Sequence, residues 1–131
     1  MTPDERREAI EAWLLKAEEG LADAAILLDR ASRGGAMNRC YYAMFSAACA
    51  LVVRDGLALH KHRAVISHVQ REYVRTGRIP EESGRALLTA FDRRTEADYH
   101  AMVRFSVEDT SKTLEQARRF VAEVRALVAK A

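Results

Sequence analysis

The chain has 131 residues, 49% of them hydrophobic and 31% charged, which suits a single domain over residues 1–131 with a real core and excludes a disordered chain. A net charge of +2 excludes a wholesale electrostatic commitment to nucleic acid. The charge is uneven, however: residues 37–80 hold seven Lys/Arg against two Asp/Glu, and residues 1–36 hold five against eight, so a basic middle is available either to phosphates or to solvent.

The first helix is predicted from Thr2-Pro3, a capping hydroxyl followed by a proline whose fixed φ suits a first helical position, with Asp4 and Glu5 behind it. Its core face reads Ile10, Trp13, Leu14, Ala17, Leu21, Ala24, Ala25 and Leu28 at three-four spacing, which makes Trp13 a core anchor. The charged start leads into no apolar block, so no secretory leader is expected and the chain reads as cytoplasmic.

Ser32-Arg33-Gly34-Gly35 breaks the chain, and a second helix is predicted from about Met37 to Asp55. It is apolar on every side from Cys40 to Val53, which predicts a central helix surrounded by the others. The run is shorter than the roughly 20 apolar residues of a membrane span. Cys40 and Cys49 lie on it about 13 Å apart, too far for a disulfide, and read as reduced core residues. Asn38 and Arg39 stand at its beginning. One role for them is a cap and a salt bridge to Asp98 or Glu96; the other is to line a binding cleft.

Gly56 ends this helix and a basic connector follows, in which His60 and His62 flank Lys61 as a solvated loop or a backbone contact for nucleic acid. A third helix is predicted over Arg63–Thr76, closed by Gly77 and Pro80, and a fourth over Glu81–Arg94. Ser106, with Glu108 and Asp109 behind it, caps a last helix burying Val107, Leu114, Ala117, Val121, Val124 and Val128. The fold class is therefore all-α, a five-helix up-and-down bundle.

Glu-x-x-His pairs, His-Glu-x-x-His, Cys-x-x-Cys and a phosphate-binding glycine loop are all absent from the sequence, so no metal or cofactor is expected. What remains is arginine with histidine, a pairing suited to RNA phosphodiester cleavage. Imidazole moves the proton and guanidinium takes the charge that builds on phosphorus oxygens. With 17 arginines and four histidines, spacing alone says little: Arg54/His60, Arg63/His68, Arg93/His100 and Arg94/His100 all match a four-to-six-residue gap. Arg63 and His68 would point about 140° apart on a helix, which disfavours that pair.

Four segments resemble the HEPN superfamily in its stand-alone prokaryotic branch: Arg-x-Tyr-Tyr-Ala-Met-Phe at 39–45, Val-Arg-Thr-Gly-Arg-Ile-Pro at 74–80, Arg-x-x-Ala-Asp-Tyr at 94–99, and Ala-Arg-Arg-Phe-Val-x-x-Val at 117–124. The resemblance implies a bundle of HEPN type whose Arg94 and His100 are catalytic, with polar Thr95 after the arginine. Arg39, Arg93, Tyr99 and Asn38 would then contact substrate. It implies a metal-independent endoribonuclease acting as a homodimer, the toxin of a toxin–antitoxin pair with a minimal nucleotidyltransferase. The alternative is a non-catalytic module that binds nucleotide or nucleic acid and docks to such a partner. One departure is Met102, which stands where some toxin members carry a modified tyrosine.

Overall fold

The computed structural model describes residues 1–130. Among these residues are five helices: α1 Pro3–Asp29, α2 Arg33–Arg54, α3 His62–Val69, α4 Glu81–Tyr99 and α5 Val107–Ala129, with a π-helical turn Gln70–Val74 after α3. This is the all-α five-helix bundle that the sequence predicts.

The capping expected at α1 is complete. The Thr2 hydroxyl accepts from the Glu5 amide, and the Glu5 carboxylate accepts from the Thr2 amide. Ser106 likewise caps α5 by accepting from the Asp109 amide at 3.0 Å. Helix α2 is the hub. It packs against all four other helices, and Tyr41, Met44, Ala47 and Leu51 along it are wholly buried. Small residues let α1 approach closely: a Cβ added at Gly20 would stand 3.1 Å from the Ala43 Cβ.

Three boundaries differ from the sequence reading. Helix α2 begins at Arg33, so Gly34 and Gly35 lie in its first turn and Asn38 lies inside it without capping it. The break falls instead on Ala31, which takes a left-handed φ of 59°. There the Ser32 amide donates to the Leu27 carbonyl and the Ala31 amide to that of Leu28, a Schellman end built on alanine. The third helix loosens after Val69 into the π turn, where the Arg75 amide reaches the Gln70 carbonyl five residues back. Helix α4 runs on to Tyr99, because Thr95–Tyr99 contain no glycine or proline and Arg94 pairs with Asp98 one turn on. Two side chains also differ: Val107 is exposed, and Trp13 is only partly buried at the edge of the core.

The π turn closes a polar cluster at the far end of α2. Asp55 accepts from His68 Nε2 at 2.7 Å and from the Tyr73 hydroxyl at 2.9 Å. His68 is buried, so of the Arg63/His68 pair one side chain faces the core and the other solvent. Both cysteines are free and buried, and burial pushes each thiol up to about 12.

Candidate functional site

Tyr41 and Tyr42 are neighbours on a helix, so they point about 100° apart. Tyr41 enters the core, while Tyr42 stays half-buried at the surface. His62, the first residue of α3, folds back over them. Its ring stacks on Phe45 with centroids 4.1 Å apart, and its Nδ1 lies 2.6 Å from the Tyr41 hydroxyl. Burial pushes the Tyr41 hydroxyl well above its usual range, so it stays protonated and is able to donate to Nδ1. Burial first, and the nearby Arg94 guanidinium second, hold His62 below the usual imidazole pKa, which favours a neutral ring at pH 7. The solvated connector expected around His62 is thus replaced by a packed imidazole, whereas His60 is exposed.

Arg94 reaches the same cluster from α4. One guanidinium nitrogen donates to the Tyr42 hydroxyl at 2.8 Å, and the guanidinium carbon lies 5.5 Å from the centre of the Tyr42 ring. Asp98 stands 3.0 Å from Nε. That approach is out of line for a hydrogen bond, and the buried Nε is left without an acceptor. The arrangement is a positioned cation beside a neutral imidazole whose acceptor nitrogen is engaged by the Tyr41 hydroxyl, which puts the ring proton on Nε2.

His100 lies elsewhere. It ends α4 in an extended conformation, about 120° around the axis from Arg94, and borders a separate cavity of about 340 Å³ with Arg33 and Arg104. Among the described residues no hydrogen bond links Arg94 and His100, and the helix continues through the motif where a break was expected. Arg93 turns away to Asp109 at 3.8 Å, and Tyr99 is exposed. Arg39 is exposed and has no ion-pair partner among the described residues, since Asp98 is taken by Arg94. Arg39 borders a cavity of about 390 Å³ between α1 and α2, together with Tyr42, whereas half-buried Asn38 does not line it. Among the described residues no three His, Cys, Asp or Glu side chains gather to hold a metal ion, and no helix is long and apolar enough to cross a membrane.

A model of the HEPN domain matches residues 10–127. The chain belongs to the HEPN domain family. It is 34% identical to a UPF0332 protein of Thermotoga maritima over 125 residues, which is 95% of each chain. It is 33% identical to a protein of Methanocaldococcus jannaschii named "Putative toxin" over 119 residues, 91% of this chain and 88% of that one. A UPF0332 protein of Gloeobacter violaceus is 34% identical over 81% of this chain and 85% of its own.

In this HEPN domain the imidazole that shares the tyrosine pair with Arg94 is one that spacing rules pass over, because His62 precedes the arginine by 32 positions and comes from another helix. Leu59 packs against the core, which draws the chain back over α2 and delivers His62 onto Phe45.

Proposed function

We propose that this HEPN domain is a metal-independent endoribonuclease, the toxin half of a pair with a minimal nucleotidyltransferase. The observation that carries the reading is Arg94, a guanidinium fixed by Tyr42 and Asp98 at the rim of the aromatic cluster that holds the His62 imidazole. An imidazole takes the proton of an RNA 2′-hydroxyl, and the freed oxygen attacks the adjacent phosphorus. The bond to the 5′-oxygen then breaks, and that oxygen collects a proton from an imidazolium. Arg94 balances the charge on the non-bridging oxygens throughout. The products are a 2′,3′-cyclic phosphate and a 5′-hydroxyl.

Two imidazoles serve this sequence best, one as base and one as acid. His100 is exposed at the end of α4, and a two-fold homodimer supplies a route for it to approach the Arg94 of a second copy. Arg39, Asn38, Arg93 and Tyr99 are candidates for holding the RNA strand, with Arg39 on the cavity wall that it shares with Tyr42, the partner of Arg94. The toxin role is supported by the names of two relatives from Methanocaldococcus jannaschii.

The experiment is cleavage of several RNAs by the purified protein, with and without EDTA, alongside sedimentation. Expected are a dimer, activity that survives EDTA, cyclic-phosphate ends, and a loss of about 10²–10⁴-fold in both Arg94→Ala and His100→Ala. A second reading is a non-catalytic module that binds nucleotide or nucleic acid and docks to the nucleotidyltransferase. It is favoured by His100 bordering a cavity separate from the Arg94 cluster, and uncleaved RNA across the panel would establish it over the first.

A further inference from the structure

The cavity between α1 and α2 opens directly beside the Arg94 cluster, because Tyr42 and Phe45 belong to both. Its third aromatic wall is Trp13, the one tryptophan of the chain. Lys16 and Arg39 bring two positive charges to its rim, and Glu19 and Asp23 bring two carboxylates. None of these four charged groups makes an ion pair with another among the described residues, although they share one cavity of about 390 Å³. Lys16 instead lies over the Trp13 ring, 5.3 Å from its centre. Stacking walls, two unpaired cations and two unpaired acceptors around a space of this size match the parts of a nucleotide: ring, phosphate and base edge.

We infer that this cavity is a nucleobase subsite for the RNA strand that crosses Arg94, and that it prefers guanine. The base stacks against Trp13 and Tyr42, with Lys16 swinging off the ring toward phosphate beside Arg39. Glu19 and Asp23 choose the base. A carboxylate only accepts, and guanine is the base that presents two adjacent donors, N1–H and the N2 amino group, on one edge. Uracil sets its single N3–H between two carbonyls that such a pair of carboxylates repels. The inference rests on the reading that RNA is the substrate, yet binding is measurable without cleavage.

Trp13 reports on the site directly, since no other tryptophan contributes to the emission. The intact protein is titrated with guanosine 5′-monophosphate and, separately, with uridine 5′-monophosphate, and cleavage is assayed in parallel. The expected result is quenching by the guanosine nucleotide at roughly tenfold or more lower concentration than by the uridine one. Arg39→Ala should weaken both, and the Glu19→Gln/Asp23→Asn double variant should erase the difference while still binding. All three side chains are exposed, so the variants are expected to fold. Absence of quenching by either nucleotide at millimolar concentration overturns the inference, as does equal quenching by the two in the wild type. Cleavage without quenching sinks the subsite alone; guanosine-selective quenching without cleavage sinks the nuclease reading and leaves the subsite standing.

Discussion

Substituting His62 by Ala takes away two things at once: the ring stacked on Phe45 and the partner of a buried hydroxyl. Tyr41 is wholly buried, so its orphaned hydroxyl costs about 1–3 kcal/mol. The lost stack adds about 0.5–1.5 kcal/mol. The total is roughly 2–4 kcal/mol, which for a domain of this size lowers Tm by about 8–16 °C. Tyr41→Phe should cost less, about 0.5–1.5 kcal/mol, because the nitrogen left unpaired sits on a half-buried ring that reaches water. In a Tyr41→Phe background the hydroxyl penalty is gone, and His62→Ala becomes cheaper by roughly 1–2 kcal/mol. The assay is urea unfolding of the four proteins of this cycle. Losses that simply add, within about 0.3 kcal/mol, would refute the claim that the two side chains are coupled. The same ring sets a pH dependence. Its folded pKa lies below the unfolded value, so the unfolded chain binds more protons between the two, and stability rises with pH across that window. The contribution is complete above about pH 6.5, is lost as pH falls through the folded pKa, and should be missing from His62→Ala.

Helices α1 and α2 end in the same hydrogen-bond pattern, one on Ala31 at φ 59° and the other on Gly56 at φ 74°, so Ala31→Gly should stabilise and Gly56→Ala destabilise, each by about 1 kcal/mol in thermal melts. Asp55→Ala strips the acceptor from buried His68 and buried Tyr73 together and should cost about 2–5 kcal/mol, with Asp55→Asn in between; a melt within 3 °C of wild type, on the order of 1 kcal/mol, would show the cluster to be dispensable. Arg39→Ala should leave stability within about 0.5 kcal/mol, since the side chain is exposed and unpaired, so any loss of RNA binding in that variant reports on the surface rather than on the fold.

The helices were legible where burial is a local property of the sequence. Helix α2 is apolar all round, and α1 and α5 keep three-four spacing, so their existence and core faces follow from periodicity. Boundaries were less legible. No glycine or proline separates Arg94 from His100, and a motif expected at a turn proved to be helix for all but its last residue. The π turn leaves no periodic mark, because one extra residue in a ring does not change which side chains are apolar. Of the site, Arg94 was readable from its neighbours in sequence. His62 was not, since its burial depends on a connector folding across α2, a long-range event. Of the two roles open to Arg39, the salt bridge to Asp98 or Glu96 is not formed, because the helix starts six residues earlier and turns the side chain outward.

The hub position of α2 has a kinetic consequence for the site. A helix enclosed by four others cannot open alone, so its amides should exchange with deuterium only through global unfolding, and Tyr42, the anchor of Arg94, is tied to that slowest class. Residues 100–106 hang between α4 and α5 with few backbone bonds and should exchange within the fastest class. Arg94 and His100, six positions apart, would then sit on opposite sides of the steepest gradient of local stability in the chain. One is held on the timescale of unfolding, and the other is free to be repositioned by whatever surface arrives beside it.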